Sequence, residues 1–121
     1  MANTFKVVNF AAEPASAGTP YVMYTVASGA TTVVLGLILS NINTSAVTAE
    51  VELVSTTSSR GGANNVANGT SFLVKDVNIP TGSSLEILSG GKVVLEAGDK
   101  IQVDCSVADK LSGTLSIMEI T

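Results

Sequence analysis

The segment TTVVLGLILSNINTSAVTAEVELV, residues 31–54, decides the fold class. Its first half is apolar in both phases of an extended chain: Val33, Leu35, Leu37 and Leu39 share one side, Val34 and Ile38 the other. After a turn at residues 41–45 the pattern changes. Val47, Ala49, Val51 and Leu53 alternate with Thr48, Glu50 and Glu52. Successive side chains of a strand point to opposite faces, so this alternation is that of a half-buried strand. A strand apolar on both faces is either central in a sandwich or covered by a partner chain.

The same chemistry extends outward. Sixteen valines, 7 isoleucines and 13 threonines make up close to 30% of the chain, and such β-branched residues fit a pleated sheet better than a helix. Eleven glycines, 14 serines and 8 asparagines supply turns. Strands are expected at residues 4–10, 21–27, 31–42, 47–53, 72–79, 84–88, 92–96, 101–107 and 111–120, with 101–107 alternating. The pair 84–88 and 92–96, separated by Gly90-Gly91, reads as a hairpin. Phe72 is expected in the core, and Tyr21 and Tyr24 on opposite faces of their strand. This many short strands predicts an all-β chain: a single antiparallel β-sandwich of about eight strands, jelly-roll-like or immunoglobulin-like. Residues 1–20 read as an N-terminal strand with an extended Pro/Ala-rich arm (Ala11, Ala12, Pro14, Ala15, Ala17, Pro20), and residues 21–121 as the sandwich domain.

Composition removes several functions. A chain of 121 residues suits one domain. Its net charge of −4 and pI of about 4.5 lack the electropositive footprint of a nucleic-acid binder. The apolar run of residues 33–39 is too short to span a bilayer, and the N-terminus has no signal-peptide pattern. With no histidine, the commonest general base and metal ligand is missing. Glu50 and Glu52 share a strand face, as some glycosidase pairs do, but charge alternation of this kind marks the solvated side. Asp99, Asp104 and Asp109 fall in a turn, a strand and a turn, without the spacing of a calcium loop. Cys105 shares the inward phase of Ile101, Val103 and Val107, which reads as a buried, inert thiol. Gly61-Gly62 and Gly90-Gly91 lack the context of a phosphate cradle and read as turns. No catalytic residue, metal site or cofactor is expected, and the chain reads as a non-enzyme.

Apolarity without an evident place to go is the remaining signal. A mean hydropathy of +0.45 with 13% charged residues leaves few charges to guard the surface, which points to a homo-oligomer, such as a trimer or other small cyclic assembly, or to a larger assembly. Phe5, Val7, Val8 and Phe10, apolar on both faces of the first strand, are the candidate partner contacts. Arg60, the only charge in the polar loop of residues 55–70, joins them.

Residues 32–121 resemble the small virion structural proteins of tailed bacteriophages. The likeness rests on VVLGLILSNINTSAVTAEVELV, FLVKDVNIPTGSSLEIL, GGKVVLEAGDKIQV with its L-x-x-G-D turn, and the terminal LSIMEIT. The resemblance implies a β-sandwich that assembles on the head or tail of a particle. Head decoration, as a cement protein bridging neighbouring copies of the major capsid protein, is the expected role. A tail, baseplate or fibre-associated subunit is the alternative, and a glycan-binding host-recognition module a further one. The expected location is the virion, assembled in the bacterial host cytoplasm.

Overall fold

The computed structural model describes residues 2–55, 69–88 and 92–121. Among them run nine strands: β1 (Asn3–Glu13), β2 (Tyr21–Thr25), β3 (Thr31–Asn41), β4 (Val47–Val54), β5 (Thr70–Ile79), β6 (Ser84–Ile87), β7 (Val93–Glu96), β8 (Lys100–Cys105) and β9 (Leu111–Ile120). Sheet I has the order β1-β9-β3-β6, with β7 also on β3; sheet II has the order β2-β8-β4-β5. Every pairing is antiparallel, and the pairs nest: β1 with β9, β2 with β8, β3 with β6 and β7, β4 with β5. A long hairpin rolled up in this way is a jelly roll, and this decides between the two expected sandwiches.

The facing sides of the sheets enclose the core. Val34, Leu37, Leu39, Leu115 and Ile117 from sheet I meet Ala49, Val51, Ile101 and Val103 from sheet II, all sealed from solvent. Cys105 is buried in the same layer, as its phase requires, whereas Val107, expected in the same phase, is exposed because β8 ends at Cys105. Two polar residues hold loops at the rim of this core. Asn41 donates to the carbonyls of Ser45 and Ile79 and accepts from the Asn43 N–H, so its buried amide is satisfied on both sides. Asp99, also buried, takes the Glu96 N–H at 3.0 Å and so closes the L-x-x-G-D turn onto itself.

Four expectations change. First, β6 and β7 do not form a hairpin. Both pair with β3, β6 opposite residues 37–40 and β7 opposite residues 31–34, so they are two in-line pieces of one interrupted edge. The eleven residues of β3 offer more ladder than either four-residue strand can fill. The glycines Gly90 and Gly91, like Gly61 and Gly62, lie outside the described residues. Second, β3 does not keep one phase. A bulge between Val34 and Gly36 inserts Leu35, so the inward set is Thr32 and Val34 before it and Leu37, Leu39 and Asn41 after it. Third, a bulge between Val22 and Tyr24 turns both tyrosines of β2 towards the core. Phe72, on the bulged edge strand β5, is instead half exposed, with the Lys75 ammonium 4.6 Å from its ring centre.

The fourth change concerns the segment expected as an arm. β1 is a strand of the chain's own sheet I, paired with β9 from Asn3↔Ile120 to Phe10↔Gly113. The stretch that follows crosses to sheet II and is tied down as it goes. The Pro14 carbonyl accepts from the Asp109 N–H, and the Gly18 N–H donates to the Asp104 carboxylate.

Phe10 shows how tightly β1 is seated. Its ring lies over Gly113, where an added Cβ would come within 2.4 Å of the ring, and stands edge-on to Tyr21 at 5.2 Å between centroids. Gly113→Ala is therefore expected to cost about 1–3 kcal/mol through overpacking, read from the urea midpoint. In a double-mutant cycle with Phe10→Leu the two losses should fall short of additive; full additivity would contradict the contact.

Candidate interaction face

Cross-strand register assembles residues far apart in sequence into rows on the outer face of sheet I. Phe5 pairs with Met118, Met118 with Val33, and Val33 with Val94, a row of four apolar side chains crossing β1, β9, β3 and β7. Alternation directs them outward, because Leu115, Ile117, Val34 and Leu95 take the inward phase. Val7, Ser116 and Gly36 form the next row, and Asn3, Ile120, Thr31 and Glu96 the one before it. Farther along, the face turns to hydroxyls: Ser112, Ser40 and Ser84 align. The face is thus apolar at one end and serine-rich at the other.

Exposure identifies the unusual end. Phe5 is 72% exposed, Val7 63% and Val94 57%, the highest values among the exposed large apolar side chains. The Phe5 and Val7 rows contain no charge. Burying one such side chain is worth roughly 1.5–3 kcal/mol, so the exposed Phe5, Val7 and Val94, linked by the half-buried Met118 and Val33, are a substantial driving force for association. Isolated exposed apolar residues are ordinary; contiguous ones mark interaction sites.

The outer face of sheet II is the opposite. Glu50 pairs with Asp104, Glu52 with Gln102 and Val54 with Lys100. Lys75 reaches Glu50 at 3.1 Å, and Gln102 donates to Glu52. Glu50 and Glu52 are each engaged by a neighbour, as on an ordinary solvated face. Asp104 is occupied too, accepting from the Gly18 and Cys105 N–H groups, while Asp99 and Asp109 stand elsewhere in turns. Among the described residues, no group of three or more His, Cys, Asp or Glu side chains is placed to hold a metal ion.

A polar network closes the apolar end of the sandwich. Glu119 receives Lys6 at 2.7 Å and the Tyr24 hydroxyl at 2.5 Å, and Tyr24 also meets Thr32 Oγ1 at 2.8 Å. It ties β1, β9, β3 and β2 together across both sheets. Burial pushes the Tyr24 phenol up to about 12, and its hydrogen bond to Glu119 adds to the rise. Lys6, followed by Tyr24, holds the Glu119 carboxyl below the usual carboxylate range.

The structure divides the partner contacts expected from sequence. Phe5 and Val7 lie on the outer face. Val8 and Phe10 pack against the chain's own core and are not free contacts. Arg60 lies outside the described residues. Sequence reading missed Met118, Val33 and Val94, because rows depend on long-range register. One local signal was available: Met118 and Ile120 are apolar in the wet phase of β9.

No family model and no curated protein matches this chain. A chain from a solved structure, described as "Bacillus endospore appendages form a novel family of disulfide-linked pili", aligns with 99% of this chain and 87% of its own length. The identity is 16% and the TM-score 0.47.

The pH response of the network follows from its shifts. A phenol whose folded pKa is raised stabilises the fold fully below its unfolded value, near 10, and loses that contribution as pH rises towards 12. A carboxyl whose folded pKa is depressed acts in the other sense, and its contribution is lost as pH falls through the acid range. Ultraviolet titration should show one tyrosinate step delayed to about pH 12 that Tyr24→Phe removes. A Tyr24 step near pH 10 would contradict the network.

Proposed function

We propose that this chain is a non-catalytic structural subunit of a tailed-bacteriophage particle, acting as a head decoration protein that bridges neighbouring capsid subunits. The observation that carries the reading is the outward apolar row Phe5, Met118, Val33 and Val94, exposed at Phe5 and Val94 and half-buried between them, set opposite a charged and solvated sheet II. The resemblance of residues 32–121 to small virion proteins supplies the kind of particle. The jelly roll itself does not decide the role, since capsid proteins, lectins and cupins share it.

Bridging demands more than one contact surface, and sheet I has two that can be separated: its outer face and its β1 edge. Charge supports the same assignment. The face meets its neighbour through apolar contact and hydroxyls, with Glu86 and Glu96 confined to its β6/β7 margin. Glycan binding is less well supported, because both tyrosines turn inward and Phe72 is a single half-exposed ring already faced by the Lys75 ammonium, too little for an aromatic wall on sheet II. In this reading the protein resides in the virion after assembly in the host cytoplasm.

Val94→Asp tests the face. It changes an exposed residue at the margin remote from β1, so thermal unfolding should stay within about 0.5 kcal/mol of the parent. Copies carrying it should fail to sediment with the phage particle, while the parent chain does so and is labelled by antibody over the head. Label over the tail would move the subunit there, and a particle without label would remove the virion role.

A further inference from the structure

We propose that the free edge of β1 pairs antiparallel with β1 of a second copy of this chain, joining two sheets I into one continuous sheet about a two-fold axis at Lys6. The pairing deepens the assembly role above and gives it a homotypic contact.

Ala2 and Thr121 exchange both N–H···O=C bonds, each at 2.9 Å, which makes them a hydrogen-bonded antiparallel pair. Such pairs recur at alternate residues, and the register from Asn3↔Ile120 to Phe10↔Gly113 is uninterrupted. Thr4, Lys6, Val8 and Phe10 therefore turn their amides and carbonyls towards β9. Asn3, Phe5, Val7 and Asn9 turn theirs away, to an edge with no strand on it among the described residues.

The other sheet edges are blunted and this one is not. β2 is five residues long and bulged. β5 carries two register shifts and the charged pair Lys75 and Asp76, the latter at a φ of 51°. The remaining edge is broken into β6 and β7. Interruption, bulges and charge are the devices that keep edges from pairing. β1 has one bulge, at its far end between Phe10 and Glu13. Its only charge in the regular part, Lys6, is bound to Glu119 of the same chain.

The residue order favours a second copy as the occupant. The four edge-facing residues read Asn3, Phe5, Val7, Asn9, which is nearly the same in both directions. An antiparallel pairing centred on Lys6 sets Asn3 opposite Asn9, and Phe5 opposite Val7, on one face. A two-fold interface requires this kind of self-complementarity. The free main-chain groups match as well: pairs 3–9 and 5–7 fall at hydrogen-bonding positions, giving about eight main-chain bonds across the axis. The two Lys6 residues meet at the non-bonding centre, where like charges repel. Glu119 neutralises each of them at 2.7 Å. The most exposed apolar residues, Phe5 and Val7, become the middle of the joined face.

The test uses the full chain and sedimentation equilibrium. Val7→Pro removes an N–H that faces the free edge and that β9 does not use, a position at which an edge strand accepts proline. The parent should dimerise with concentration; Val7→Pro should retain its β-sheet circular dichroism and weaken dimerisation by about tenfold or more. A parent that stays monomeric at high micromolar concentration, or a Val7→Pro chain that dimerises like the parent, would overturn the pairing. The register has a separate readout that does not rely on proline. In a hydrogen-bonded pair the Cα atoms lie about 5.5 Å apart, within disulfide range. Copies carrying Phe5→Cys should therefore cross-link under mild oxidation to copies carrying Val7→Cys, and Val7→Cys should not link to itself. Self-linked Val7→Cys would overturn the Lys6-centred axis. Because Val94→Asp lies at the margin of the face remote from β1 and leaves the edge untouched, attachment of that variant to the particle with dimerisation intact would sink the face reading alone, and loss of dimerisation in the parent the edge pairing alone.

Discussion

Strand β9 is held on both flanks, by β1 from Asn3 to Glu13 and by β3 from Thr31 to Asn41, and the rest of the molecule follows from that double ladder. Its inward residues Leu111, Leu115 and Ile117 anchor the core of sheet I, and Gly113 leaves room for the Phe10 ring. Its outward Met118 joins Phe5 to Val33 and so makes a row of three separate apolar residues. Near its end, Glu119 draws Lys6 and Tyr24 together and closes the sandwich. The same ladder sets which amides of β1 are used internally and which are left facing outward.

A two-layer sandwich covers one side of each sheet and leaves the other to solvent or to a partner. The two outer sides differ in chemistry. Sheet II presents Glu50, Glu52, Asp104, Lys75 and Lys100, suited to water. Sheet I presents aliphatic and aromatic groups at one end and hydroxyls at the other. Stability inside the chain does not require the Phe5 row to be apolar, since its side chains contribute little to the core. Association does, because area removed from water on contact is what drives it. The apolar row and the unblunted β1 edge meet at Phe5 and Val7, whose side chains belong to the face and whose free main-chain groups belong to the edge, so one strand serves two contacts.

Much of the architecture was legible in the sequence because alternation is local. Val47, Ala49, Val51, Ile101, Val103 and Cys105 all turn inward as their phase requires. What sequence did not reveal is non-local or phase-shifting. The bulge at Leu35 reverses the face of every later residue in β3, and the one at Val22/Tyr24 brings both tyrosines inside. A break in an edge strand and a hairpin turn carry the same glycine signal, so β6 and β7 were read as partners rather than as successive pieces. Of the interaction face, Phe5 and Val7 were visible as apolar residues on a strand. Val8 and Phe10 looked equivalent, and only their packing on the core sets them apart.

The proposed assembly would cover the outer face of sheet I and leave that of sheet II open. Hydroxyl-radical footprinting of the assembled and dissociated chain, read residue by residue in a mass spectrometer, tests it most directly. Assembly should protect Phe5 and Met118 on sheet I and leave Phe72 on sheet II as reactive as before. Protection of Phe72, with Phe5 and Met118 oxidised equally in both states, would contradict it.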